Sequence, residues 1–302
     1  MYKEIDSNKI KTVVIMTIFL LFVSGLGYFL SWYFNNPAIL IIALIIAVVQ
    51  TLVSYYYSDS ITLAISAAKE VPRAEPYLSL HRTVENLAIT AGIPKPKIYV
   101  INDSAPNAFA TGRDPQHASI AVTSGLLQKL NNVELQGVIA HEMSHIGNYD
   151  IRLMMVIVVL VGVVSLMADF FLRWTWFGGR RSNDSEGGGQ IQAILMIIGL
   201  VLVILSPIIA TLIQLSISRK REYLADATGA LLTRYPEGLA SALEKISNDK
   251  EPLEVANKAT AHLYIASPFK DKEDGGGKSW FAGMFDTHPP IVERIKKLRA
   301  MV

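Results

Sequence analysis

The sequence predicts a mainly α chain with a small β-sheet, an α+β globular domain joined to four transmembrane helices. Three observations carry that prediction. Long apolar runs occupy residues 12–30, 38–57, 153–168 and 191–215, and no Asp, Glu, Lys or Arg occurs from Thr12 to Ser58. Runs approaching 20 apolar residues suit a bilayer crossing. Between the second and third runs lie three short segments of strand character, followed by a helical stretch carrying His141-Glu142-Met-Ser-His145. Composition agrees: of 302 residues 51% are hydrophobic and only 18% charged, against about 25% charged in soluble domains. The net charge of +2, with no basic run among aromatics, gives no case for nucleic acid as a partner. No cysteine is present, which excludes disulfides and thiolate metal sites.

Residues 1–58 read as an N-terminal transmembrane hairpin. A short polar start precedes the first run, and Trp32, Tyr33 and Phe34 follow it as an interfacial aromatic belt would. Asn35-Asn36-Pro37 is a tight polar turn into the second run, which ends in Tyr55-Tyr56-Tyr57. A cleaved signal peptide is the rival reading, but the first run is too long and no small-residue cleavage site precedes the second.

Residues 59–150 form the first part of the globular domain. Residues 78–91 have helical periodicity with a stop at Gly92-Ile-Pro94. Residues 98–101, 107–110 and 118–123 read as strands, the last two separated by a turn-rich stretch. The next helix is expected to start at Asn132 as N-cap and to break or bend at Gly147-Asn148.

A second transmembrane hairpin is expected over residues 151–216, with a glycine-rich loop at 178–189 and a kink at Pro207. The third run is short for a span, with Asp169 just beyond it. Lys69, Arg73, Arg82 and Arg219-Lys220-Arg221 lie on one side, so the positive-inside rule puts both termini and the globular domain in the cytoplasm; Arg173, Arg180 and Arg181 count against this. Residues 217–302 complete the domain. Helices are expected over 218–232, from 238 to 246, and over 291–301, the last opened by Pro289-Pro290.

The chemistry centres on the two histidines. Four residues apart on a helix, His141 and His145 share one face, and two neutral imidazoles there can share a divalent ion, most plausibly zinc. Glu142 then points at a water on the open side of the metal, the His-Glu-x-x-His arrangement of zinc peptidases. A third ligand must come from elsewhere. Glu222 offers one, with Asp226 on the same helical face to accept a hydrogen bond from a ligand ring N–H. On spacing alone this pair reads equally well as a solvated charged face. The second apolar hairpin returns the chain to the side it left, so the two halves can meet.

With its four runs, His141-Glu-Met-Ser-His145, Arg221-Glu222-Tyr-Leu-Ala-Asp226 and Thr287-His288-Pro-Pro-Ile-Val-Glu-Arg294, the chain resembles the HtpX membrane zinc metalloproteases, bacterial relatives of the type I CAAX prenyl endopeptidase. The resemblance spans nearly the whole chain. It implies a zincin-like, gluzincin-type protease domain on the cytoplasmic face of the inner membrane, one Zn2+ per chain, and Glu222 as third ligand with Asp226 behind a ligating histidine. It also implies cleavage of misfolded or damaged membrane proteins in quality control and stress response. Asn107, Ala108, Phe109 and Ala110 become the edge strand on which a substrate backbone pairs. His288 could stabilise the oxyanion, cap the metal or fix the terminal helix, and Arg294 is a further candidate for transition-state support. Expected partners are membrane-protein substrates, the lipid bilayer and other membrane quality-control proteases. Two rival readings share the metal: a non-proteolytic scaffold or holdase with a structural zinc, and an endopeptidase acting on lipidated tails.

Overall fold

The computed structural model describes residues 2–160, 199, 219–256, 260–266 and 289–301, and the following holds for these. The chain opens with two long antiparallel helices, α1 (Tyr2–Tyr33) and α2 (Pro37–Tyr56). Asn35 turns the chain at φ +48, and the Asn36 side chain accepts the Ala38 N–H at 3.0 Å ahead of Pro37 in the first turn of α2. At Gly27 the two helices approach so closely that a Cβ would stand 2.3 Å from that of Ala43. Leu21, Ile41 and Ile45 are more than half exposed, an apolar surface that suits lipid.

After the short helix α3 (Ser58–Ile65) the chain builds a four-stranded sheet from β1 (Lys69–Glu70), β2 (Lys97–Ile101), β3 (Ala108–Gly112) and β4 (Ala118–Thr123). Helix α4 (Leu78–Ala91) ends at Gly92, whose φ of +67 makes the left-handed stop. Strand order is β1-β2-β4-β3, with β2 and β4 parallel and both outer pairs antiparallel, so β3 is an edge. α5 (Ser124–Lys129) leads from β4 to α6 (Asn132–Gly147).

α6 is the central element. Asn131, not Asn132, is its N-cap, because Asn131 Oδ1 takes the Val133 and Glu134 N–H groups while Glu134 returns to the Asn131 N–H at 2.8 Å. Leu135, Val138, Ile139, Met143 and Ile146 are buried, pooled in one core with β2, β4 and the later helices. Five such side chains contribute on the order of 10 kcal/mol by apolar burial, enough to hold the polar groups of α6 out of water. Asn148 caps α6 and Tyr149 takes φ +61, after which α7 (Asp150–Leu160) leaves at 82° to α6. α7 packs Leu153, Val156, Ile157 and Leu160 on Ile15 of α1.

Beyond residue 218 come α8 (Arg219–Thr233), α9 (Pro236–Asn248) and α10 (Ile291–Arg299). α8 lies close on α6, since a Cβ at Gly229 would stand 3.1 Å from the His141 backbone nitrogen.

Some expectations change, and others fall outside the described residues. Two helices among the described residues are long and apolar enough to cross a membrane, or three if the bent α6–α7 pair is one span; four transmembrane helices are not established. The expected third run is described only through Leu160, and the fourth, apart from Gly199, lies outside the described residues with the 178–189 loop and Pro207. Helix α1 starts at Tyr2, well before the apolar run, because Lys3 to Lys11 continue its turns. α10 closes at Arg299, and Pro290 is its N-cap instead of its first helical residue.

Candidate metal centre

Helix α6 turns one face toward α8, and there His141, His145 and Glu222 converge. The ring Nε2 atoms stand 3.2 Å apart, and Glu222 places Oε2 3.9 Å from His141 Nε2 and Oε1 3.6 Å from His145 Nε2. All three residues are buried. Ligands on one tetrahedral zinc, at about 2.0–2.1 Å from it, lie roughly 3.3–3.4 Å from each other. The donor set therefore fits a divalent ion with little adjustment.

Each ring is fixed from behind by a carboxylate. His141 Nδ1 is 3.0 Å from Asp226 Oδ1, and His145 Nδ1 is 2.9 Å from Asp150 Oδ2. With each Nδ1–H donated to a carboxylate, two neutral rings would face each other lone pair to lone pair at 3.2 Å. That arrangement needs a cation between them, a proton or a metal. Burial lowers the His145 pKa, but the Asp150 hydrogen bond and the Glu222, Asp150 and Glu142 charges outweigh it and hold His145 up at about 9. Burial dominates at His141 and leaves it below its usual value. Without a metal, the surrounding carboxylates favour a protonated ring at His145.

Arg294 of α10 completes the wall. Its guanidinium is fully buried and forks onto Asp226, Nε to Oδ2 at 2.9 Å and Nη2 to Oδ1 at 2.7 Å, while Nη1 donates to the Ile265 carbonyl at 3.0 Å and stands 3.6 Å from Glu222 Oε2. Although burial opposes it, this grip and His141 keep Asp226 ionised, below its usual pKa. Arg294 thus reaches the site through Asp226 and Glu222, and its Nη2 also lies 3.5 Å from both His141 ring nitrogens.

Glu142, the next residue on α6, is buried, and burial pushes its pKa up to about 7. The Ala110 backbone N–H of β3 lies near enough to its carboxylate to pull that pKa down in part. The Thr123 N–H donates to the Asn107 carbonyl at 3.0 Å, which turns odd-numbered residues of this stretch toward β4 and leaves the polar groups of Ala108 and Ala110 on the free edge. That edge is partly taken. The Ile265 N–H donates to the Ala108 carbonyl at 3.0 Å, and Asn107 Nδ2 donates to the Ala266 carbonyl at 3.1 Å. Asn107 precedes β3 instead of belonging to it, and Phe109 is wholly buried against Tyr264.

His288 lies outside the described residues. His81, beside the Val71 carbonyl, and His117, paired with Asp114, stand apart from this cluster. Sequence reasoning missed Asp150. Its signal was local, a carboxylate five residues beyond His145 and just past the predicted break, where a tight turn folds it back on the ring. It also missed Asn8, whose Nδ2 donates to Asp150 Oδ1 at 2.7 Å. Nothing in the sequence near Asn8 points to this partner 142 residues away.

A family model described as peptidase family M48 matches residues 74–302. A protease HtpX homolog of Caldanaerobacter subterraneus subsp. tengcongensis is 48% identical over 305 residues, covering 100% of this chain and 98% of that one. The homolog of Thermoanaerobacter pseudethanolicus is 47% identical over 303 residues with the same coverage, and that of Listeria monocytogenes 44% over 312 residues with both chains covered fully. Among solved structures, S. mikatae Ste24p superposes with a TM-score of 0.51 at 20% identity, over 99% of this chain and 67% of that one, a likeness of fold.

Proposed function

Since this chain belongs to peptidase family M48 and is a membrane metalloendopeptidase of the HtpX type, we propose that it uses one zinc ion to cleave misfolded or damaged membrane proteins at the cytoplasmic face of the bacterial inner membrane, in quality control. The observation that carries the zinc reading is the pair of imidazole Nε2 atoms 3.2 Å apart, each ring backed by a carboxylate and both facing Glu222. His141, His145 and Glu222 are the proposed ligands. A bound zinc would supply Lewis acidity, polarising the scissile carbonyl and acidifying an attacking water.

The residues around it do the rest. Glu142 accepts the proton of the attacking water and passes it to the leaving amine. Burial raises the Glu142 pKa to about 7 in the metal-free site, and a bound cation would bring it down toward the range in which the carboxylate is free to accept a proton. Asp226 and Asp150 hold the two rings in the tautomer that turns Nε2 inward. Ala110 puts the free edge of β3 near the base, so a peptide adding as a strand there brings its scissile bond to Glu142. Pairing at Ala108 requires Ile265 to leave its carbonyl. Apolar helices α1 and α2, long enough to cross a bilayer, favour membrane-protein substrates.

The test is Glu142→Gln in the full chain in detergent. Zinc content by elemental analysis should stay stoichiometric while cleavage of an unfolded membrane protein falls at least about 100-fold. Undiminished cleavage would refute the role of Glu142.

A further inference from the structure

We propose that Asn8, on the first apolar helix, is a positioning residue for the metal ligand His145 and acts through Asp150; this rests on the metal reading above. The Asp150 carboxylate is shared. Oδ2 meets His145 Nδ1 at 2.9 Å, and Oδ1 accepts Asn8 Nδ2 at 2.7 Å. The second Asn8 N–H goes to the Asn148 carbonyl at 3.0 Å, and Asn8 Oδ1 accepts Arg221 Nη1 at 3.2 Å. Both donors and the acceptor of the amide are thereby used. Arg221, adjacent to Glu222, also stands 3.6 Å from Asp150 Oδ1.

Asn8 therefore joins three elements behind one imidazole: α1, the α6–α7 turn and the start of α8. It is fully buried. A carboxylate held at only one oxygen swings about its Cβ–Cγ bond; Asn8 fixes the other oxygen and with it the direction from which the ring proton is held. Groups that orient a ligand from behind commonly change metal affinity 10- to 100-fold when removed. Helix α1 carries Asn8 at one end and apolar surface along the rest, so its seating governs how well the site holds metal.

The experiment measures zinc affinity by chelator competition and the Co(II) absorption spectrum on the full chain in detergent. Asn8→Leu should weaken zinc binding about tenfold and alter the Co(II) spectrum. Ser24→Ala, which removes a side-chain hydrogen bond farther along α1 and away from Asn8, should change neither. In an Asp150→Ala background Asn8→Leu should have no further effect on affinity. Asn8→Ser, too short to reach Asp150, gives the same readout where Asn8→Leu does not fold. Unchanged affinity in both Asn8 variants, or an equal loss with and without Asp150, overturns the proposal. Wild-type protein that binds no metal would instead defeat the metal reading, and this inference with it.

Discussion

Arg294→Met tests how the site wall is built. Arg294 donates two hydrogen bonds to one carboxylate at 2.9 and 2.7 Å and one to a carbonyl at 3.0 Å, with no solvent exposure. Each bond to a charged partner contributes about 1.5–3 kcal/mol. Removing the arginine also leaves Asp226, itself buried, without its main counter-charge. Breaking such a pair from one side costs about 3–5 kcal/mol, and about 4 is expected here. At roughly 2–4 °C per kcal/mol for a domain of this size, the melting temperature should fall by about 8–16 °C. Arg294→Lys should lose about half as much, because one ammonium can keep one Asp226 oxygen but cannot fork across both and reach Ile265. The assay is thermal melting of the metal-free chain in detergent. A methionine variant melting within about 2 °C of wild type would show that the fork is not what holds α10 to α8.

The remaining predictions concern the metal and its neighbours. Glu222→Ala should lower zinc content measured by elemental analysis, and stoichiometric zinc in that variant would remove Glu222 from the ligand set. His145 carries a folded-state pKa near 9 against the usual 6.5, so its contribution to metal-free stability is complete below about pH 6.5 and is lost as pH rises through about 9. Because a metal must displace that proton, affinity by chelator competition should climb up to about tenfold per pH unit across this window; a flat profile would contradict it. Gly229→Val should push α8 away from α6, since even a Cβ would stand 3.1–3.3 Å from the His141 backbone. Zinc affinity should fall with it, while unaltered affinity would mean that the close approach does not set the Glu222 distance.

Local rules made α6 legible: helical spacing of Val138, Ile139 and Ile146, acidic Glu134 in the first turn, and a break after Gly147. They misplaced its cap by one residue, since two asparagines stand side by side and only the capping box with Glu134 distinguishes them. The spacing of Glu222 and Asp226 likewise marked one helical face, although spacing could not say what that face meets. Long-range contacts were not legible. Asn8 sits among ordinary polar residues, and only the path of α1 along α7 brings it to Asp150. The pairing of Ile265 with the β3 edge is similarly invisible, because the four apolar residues Leu263 to Ala266 are too short a run to show a period.

The site draws Arg294 from 153 residues beyond His141. On a ribosome adding about 5–20 residues per second, that separation is about 8–30 s of elongation. Throughout that interval the nascent chain displays both imidazoles and Glu142 without the cation that orients Asp226. The order of synthesis thus brings the cation that fixes Asp226 only after both imidazoles, Glu142 and Glu222 are already in the chain.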